Sequence, residues 1–584
     1  MTANQPQSDA IIIGIDFGTT FLGVAWAYFR QPDDIEIVTS WGSQLNHCSD
    51  VEKAPTQLCY DENGQDVKWG YGIPAEDEPL KWFKLLLLEA KDIPVEVAAS
   101  TQLQEARRLK NKVMKDPIEI IASFLRNLWD HSTESIKRAI GADLVRRCKL
   151  QVVITLPAIW PAYAQQRMKQ AAQQSGIMDR RSAGATTLYF ISEPEAAALA
   201  TIKDLSKRST INTGDTIVVC DAGGGTVDLI SYIFESTDPF VVKECVKGDG
   251  GLCGGVFLDE GFIKLIKNKA PKGTWNFVGH ADEKKFLNDQ WEHGIKPQFE
   301  NQPRTWPVDL PESCSSDLST GLKCRATVEL TSDEILSVFS PIAGKIETLV
   351  GQQVDAIQAK GHRAPKYIIL VGGFGRSRYL FNCLHERFEA TILQSRGTKP
   401  WTAICRGAVV QGLLRHDPSL SVGVNVEARV ARMSYGVKYH TTFIAGKHKK
   451  VDKTWNDDEQ EYKTGNQMEW FLKEGEDISE KRPVHHEYYR LCSDSTVQTS
   501  ETIYCTTTFP PPARAPKGSA NVRELCTVTW NKIINTNKLP KWTNRKRQTF
   551  SQLDYRIQMD CEDGTVNFKI IHKGARVGEQ NFEV

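Results

Sequence analysis

TIVVCDAGGGTVDLISYIF (216–234) is the stretch whose reading decides the fold. An apolar run ends in Asp221, bends through Gly223, Gly224 and Gly225, and resumes after Thr226 as a second apolar run. Two such runs around a tight bend read as a buried β-hairpin. Glycine removes Cβ from the bend, so backbone N–H groups can converge there on an anion. A carboxylate at the entry and a hydroxyl at the exit suit the bend to phosphate and to the divalent cation that travels with it.

The same plan occurs earlier, in IIIGIDFGTTFLGVAWAYF (11–29): strand, Asp, a short glycine bend, Thr, strand. The copies begin roughly two hundred residues apart, far beyond the ~20–50 residues of a solenoid repeat, so they imply a duplicated domain. Two similar lobes, each offering a glycine hairpin, would close on a ligand between them. Thr19, Thr20 and Thr226 add hydroxyl donors, and Asp16, Asp221 and Asp228 would hold Mg²⁺ through its retained waters. A third glycine cluster, YIILVGGFGRSRYL (367–380), ends a buried strand in Gly372 and Gly373 and starts a helix near Ser377. A nucleoside would lie on those glycines, with the flat guanidinium of Arg376 against the base.

Around these motifs the first 415 residues alternate strand and helix patterns. Ile11–Ile15, Leu150–Leu156, Ile217–Cys220 and Tyr367–Val371 read as buried strands, and Ile118–Ile140 and Ser332–Val354 as helices. The fold class is therefore α/β. After about residue 415 short alternating segments take over. In LDYRIQMDCEDGTVNFKIIH (553–572), Tyr555, Ile557 and Met559 are followed by Val566, Phe568 and Ile570 around an Asp563–Gly564 turn, a hairpin signal. FPPPARAPKG (509–518) reads as a proline-rich loop.

The balance of 72 basic and 72 acidic residues among 584 gives no global field toward nucleic acid or an anionic membrane. No apolar run reaches the ~18 residues of a membrane span, and MTANQPQSDA lacks the pattern of a signal peptide. The 14 cysteines show no paired spacing. These features predict a cytoplasmic protein, with a nuclear location left open. KHKKVDK (447–453) reads as a solvated loop, and His485–His486 lacks metal-ligand spacing.

Taken together, the three glycine motifs resemble the actin-like ATPase superfamily and, within it, the seventy-kilodalton heat-shock chaperone family. VVITLPAIWPAYAQQRMKQAAQQSG (152–176) and ISEPEAAALA (191–200) resemble that family's strand–proline–helix and crossover segments. The resemblance covers about residues 11–415. It implies a two-lobed, ribonuclease H-like duplicated ATPase core followed by a β-rich C-terminal domain. The lobes would run over 1–205 and 206–415, with about 372–415 returning to the first lobe, and the C-terminal domain over 416–584.

Residue by residue, the resemblance implies that ATP or ADP and Mg²⁺ are bound. Asp16, Asp221 and Asp228 would surround the metal through water. Gly18, Thr19, Thr20, Phe21, Gly223, Gly224, Gly225 and Thr226 would line the phosphates. Glu193 would position the attacking water. In KWFKLLLL (81–88), Lys84, or failing it Lys81, would meet the γ-phosphate. Pro157 and Arg167 resemble the family's switch proline and relay arginine. Gly254 and Gly255 would approach the nucleotide from the second lobe. Glu292 and Lys296 would reach the ribose and adenine, and Gly372, Gly373, Phe374 and Arg376 the nucleoside.

The chain also departs from the family. Phe21 and Phe374 stand where the family has polar residues, and RHDPSLSVGVNVEARVARMSYGVKY (415–439) lacks its leucine-acid linker. That junction resembles the divergent twelve-type branch, which lacks the usual helical lid. The function implied is a slow Mg²⁺-dependent ATPase of chaperone type, whose nucleotide state sets lobe closure and C-terminal binding of protein clients or partners. No co-chaperone or exchange factor is indicated. A nucleotide-binding scaffold with little hydrolysis is the alternative; a small-molecule kinase on the same fold ranks last.

Overall fold

The computed structural model describes residues 9–583, apart from 44–50, 62, 63, 65, 75, 94, 159, 206–210, 315–325, 396, 421, 479–482, 563 and 564. The chain forms two compact units. One comprises residues up to Val242 together with Gly248–Asn425; the other comprises Lys243–Lys247 with Val426–Val584. The boundary lies a little beyond the expected 415.

The first unit contains two sheets of matching topology. In the first, Ala10–Phe17 pairs antiparallel with Phe21–Tyr28 and parallel with Lys149–Leu156, which pairs parallel with Thr187–Ser192. In the second, Thr216–Ala222 pairs antiparallel with Val227–Thr237 and parallel with Tyr367–Val371, which pairs parallel with Thr391–Gln394. The central strands are buried on both faces, which explains their unbroken apolar runs. Each sheet is followed by a helix, Glu193–Leu205 after the first and Lys399–His416 after the second.

These two helices change sides. Glu193–Leu205 reaches the second sheet at Thr216–Ala222 and Val227–Thr237, and Lys399–His416 lies on the first sheet against Ala10–Phe17, Phe21–Tyr28 and Lys149–Leu156. Where they cross, Gly407 is so close that a Cβ there would stand 1.6 Å from the Ala196 carbonyl oxygen. Lys399–His416 is covered on most of its circumference, so it carries little amphipathic signal. The long helices start on strong caps. Asp116 with Glu119 forms a capping box before Pro117–Ile140, and Thr331 with Glu334 one before Ser332–Ala359.

The second unit is a β-sandwich. One sheet runs Lys453–Asn456, Glu461–Leu472, Ser434–Thr442, Ser500–Thr506, Arg523–Thr529. The other runs Val484–Cys492, Thr549–Glu562, Thr565–His572, Ala575–Glu583, with Lys541–Thr543 beside Thr549–Glu562. Tyr435, Val437, Phe471 and Ile503 meet Ile557, Met559, Val566, Phe568 and Ile570 in its core. The expected hairpin pairs Met559 with Phe568; its Asp563–Gly564 turn lies outside the described residues.

The proline-rich stretch is ordered along an edge. Met468 N–H donates to Ala513 O at 2.9 Å, Ala515 N–H to Asn466 O at 2.8 Å, and Trp470 Nε1 to Pro512 O at 2.9 Å. Arg514 pairs with the buried Asp452, which Asn466 also contacts. Among the described residues no helix is long and apolar enough to cross a membrane.

Candidate functional site

Asp16, next to last in the strand Ala10–Phe17, lies opposite Gly23, and Asp221 and Asp228 face each other across the second hairpin. Glu193 opens the helix Glu193–Leu205. All four carboxylates are buried. Burying charge is costly unless it is paired, so the partners matter. Lys84, on the turn Phe83–Leu87, places Nζ 2.6 Å from Glu193 Oε1, with the Phe17 and Trp160 rings 5.8 and 5.2 Å away. Lys53 places Nζ 2.5 Å from Asp16 Oδ2. Asp221 Oδ1 and both carboxylate oxygens of Asp228 are buried with no hydrogen-bond partner.

The electrostatics follow from this arrangement. Burial raises Glu193 above the usual carboxylate range, opposed by Lys84 and reinforced by Asp16. Burial, then Glu193 and Asp228, push Asp221 well up. Burial and Glu193 push Asp228 up to about 7. Lys53 is opposed by burial, yet the neighbouring Asp16 outweighs it and holds the ammonium above its ordinary value. Asp16 and Glu193 are each held by a lysine, while Asp221 and Asp228 retain unused acceptor capacity.

The glycine loops converge on one another. Thr56 Oγ1 donates to Gly18 O at 2.8 Å and fixes the first bend. A Cβ on Gly224 would stand 2.1 Å from Thr20 Oγ1, and one on Gly225 would stand 3.5 Å from Thr19 Cβ. The loop before helix Val256–Lys269 lies on the second bend: Gly254, Gly255 and Val256 N–H groups donate to Gly225, Gly223 and Gly224 carbonyls at 3.2, 3.0 and 2.9 Å. Thr226 O accepts from Gly223 N–H at 2.9 Å, closing that bend.

Beyond the loops lies a second cluster. Gly255 approaches Phe374 and Lys296: a Cβ on it would be 3.5 Å from Phe374 Cβ and 3.6 Å from Lys296 Nζ. Lys296 bridges Glu292 at 2.6 Å and Asp259 at 2.7 Å, and Trp291 Nε1 donates to Asp259 at 2.8 Å. Burial, opposed by Lys296, raises Asp259 to about 7. Phe374 is buried. Gly372 adopts φ +84°, a conformation suited to glycine, beside Asp221 and Ala222. Gly373 lies near Trp401, and Arg376 faces the Trp401 ring at 5.9 Å, with Phe21 on that ring edge-on at 5.7 Å.

Lys84, rather than the exposed Lys81, is brought to Glu193. Arg167 donates to Leu87 O at 2.6 Å, tying the helix Ala162–Gln174 to the turn that carries Lys84. The backbone N–H of Trp160 donates to Pro157 O at 3.1 Å, and its ring faces the same lysine at 5.2 Å. Sequence reasoning missed Lys53, Asp259, Trp160 and Trp401. Only Asp259 had a signal, its helical spacing after Gly254–Gly255.

The orphaned oxygens of Asp221 and Asp228 fit a hydrated divalent cation. No group of three or more His, Cys, Asp or Glu side chains among the described residues forms a direct ligand set. The Cβ-free bends fit a phosphate chain.

Two family profiles match the chain: one described as Hsp70 protein over residues 86–469, and one described as a domain of unknown function over 429–583. Among curated proteins, heat shock 70 kDa protein 12A of Mus musculus is 23% identical over 548 residues, covering 76% of this chain and 74% of that protein. Heat shock 70 kDa protein 12B of Homo sapiens is 24% identical over 525 residues, with the same coverage. Mitochondrial-type heat shock protein 70 of Encephalitozoon cuniculi is 30% identical over 302 residues, covering 49% of this chain and 47% of that protein. With the Hsp70 profile spanning well over half its length, the chain belongs to the Hsp70 protein family.

Proposed function

We propose that this nucleotide-binding, chaperone-like protein binds ATP and ADP between its two sheets and hydrolyses ATP slowly with Mg²⁺. The observation that carries this reading is the buried Lys84–Glu193 pair beside the two Asp-bearing hairpins. Thr19, Thr20, Thr226 and the glycine bends would hold the phosphates. Asp16, Asp221 and Asp228 would hold the hydrated magnesium, which when bound neutralises charge on the phosphate oxygens. Lys84 offers a fixed ammonium to the transferred phosphoryl group. Glu193, raised above an ordinary carboxylate, is suited to orient the attacking water and take its proton. Glu292, Lys296, Gly254, Gly255, Gly372, Gly373, Phe374 and Arg376 would form the nucleoside end, with Phe21 and Trp401 beside it.

Hinge motion at the crossing of Glu193–Leu205 and Lys399–His416 would couple nucleotide state to lobe closure, given different affinities for ATP and ADP. The β-sandwich is the proposed surface for protein partners, in a cytoplasmic setting. The test is phosphate release from MgATP by the purified chain beside Lys84→Met. Slow release, falling about a hundredfold or more in the variant, is expected from loss of a transition-state charge contact. Tight ADP and ATP binding without release from either protein would replace the ATPase with the scaffold reading.

A further inference from the structure

Asp16, Gly23 and Lys53 occupy one row across three adjacent strands. Asp16 is paired with Gly23 in the first hairpin, and Gly23 with Lys53 of Lys53–Pro55. The middle position has no side chain, and the lysine uses that space. A Cβ on Gly23 would stand 3.2 Å from Lys53 Cγ and 3.3 Å from Cε, so the stem lies flat over the glycine. The ammonium thereby reaches Asp16 Oδ2 at 2.5 Å, with side-chain exposures of 6% and 3%. A fully buried lysine is rare unless something requires its charge.

The charge pattern of the site shows what that requirement is. Four buried carboxylates, Asp16, Glu193, Asp221 and Asp228, face two buried ammonium groups. Lys84 is committed to Glu193 and Lys53 to Asp16. Of the four, only Asp221 and Asp228 are left with orphaned oxygens. One end of the carboxylate cluster is therefore already neutralised by the chain itself.

We propose that Lys53 is a resident cation of the phosphate site, neutralising Asp16 so that nucleotide binds with a weakened requirement for divalent metal. This rests on the nucleotide-site reading above. An incoming phosphate chain meets repulsion from unpaired carboxylates, and a fixed ammonium at Asp16 relieves part of it without any ion. Lys53 acts through Asp16 and is a positioning residue; what it governs is the ratio of affinities with and without metal, more than either affinity alone.

The experiment measures ADP dissociation constants by calorimetry in Mg²⁺ and in excess chelator, for the intact chain, Lys53→Met and Lys53→Arg. Methionine keeps the apolar stem and removes the charge; arginine keeps the charge. For the unaltered protein, chelation is expected to weaken ADP binding by about tenfold or less. In Lys53→Met the loss grows by a further factor of about ten, and Lys53→Arg restores the smaller ratio. A merely structural role for Lys53 would weaken binding equally in both buffers. Equal ratios in the unaltered protein and Lys53→Met would overturn the proposal. So would a loss above a hundredfold in the unaltered protein, a result that needs no variant to fold. Absence of ADP binding in both buffers would instead overturn the nucleotide-site reading itself, and the proposal with it.

Discussion

Gly407→Ala is a direct probe of the helix crossing. The added Cβ would stand 1.6 Å from the Ala196 oxygen, 2.4 Å from its carbonyl carbon and 2.9 Å from its Cα. Real Cβ atoms do not approach heavy atoms closer than 3.0 Å, so the axes must separate by more than 1 Å. Every obstructing atom is backbone, and no side chain can rotate away to absorb the insertion. Overpacking a close-packed interior costs about 1–3 kcal/mol, and an obstruction made wholly of backbone belongs at the top of that range. Against a total stability of ~5–15 kcal/mol, a loss of about 3 kcal/mol is large.

Urea unfolding followed by circular dichroism measures it, with Gly344→Ala as the matched control. Gly344 lies inside Ser332–Ala359, and a Cβ added there would meet nothing within 4 Å. The same substitution there removes only helix-disfavouring backbone freedom and should stabilise by about 0.5–1 kcal/mol. Opposite signs for the two variants are expected. If Gly407→Ala unfolds within about 0.5 kcal/mol of the unaltered protein, the close approach of the two helices is refuted.

Two further outcomes concern pH. Arg514, joined by Asn466, depresses Asp452 to about 2 even though burial opposes the shift. A depressed carboxylate stabilises above its unfolded value of 3.8 and loses that contribution as pH falls through about 2, so Asp452→Asn should cost about 2 kcal/mol at pH 7 in urea unfolding, narrowing below pH 4. Asp228 behaves oppositely. Because the folded protein binds a proton up to about 7, metal-free stability should fall as pH rises from 3.8 toward 7, and Asp228→Asn should flatten that slope; equal slopes for both proteins would refute the buried, unpaired carboxylate.

Much of the core was legible because its signals are local. The strand Tyr367–Val371 has the expected bounds, and Ser377 caps the helix Arg378–Arg387 where a start was expected. The Asp–Gly–Thr hairpins announce themselves because a carboxylate, a bend and two apolar runs fall within twenty residues or so. Long-range pairs left no such trace. Lys84 and Glu193 are 109 positions apart, and only the family resemblance suggested a shared site.

Lys53, 37 positions from Asp16, carries no local signal, since periodicity cannot reveal a buried charge whose partner lies on another strand. Trp401 is hidden differently: helix Lys399–His416 is covered nearly all round, so no face stands out. Arg376, expected against a base, lies over that tryptophan. Glu292 lies in a wide π-helical turn, Leu287–Ile295, and Lys296 follows directly after it, so a 3.6-residue period does not give their register.

The proline-rich stretch along residues 466–468 finally bears on how the sandwich avoids recruiting other molecules. A bare sheet edge is a template on which a foreign strand can grow. Here Ala513 and Ala515 turn their hydrogen-bonding groups inward, and the carbonyls of Pro512 and Pro516 accept from Trp470 Nε1 and Ser519 N–H. Being prolines, these two also have no N–H to offer. The segment is thus a terminator: it completes the sheet on one side and gives the next strand almost nothing to hold. Proteolytic cutting within 509–518 would bare this edge of Glu461–Leu472, and the expected sign is self-association of an otherwise intact sandwich.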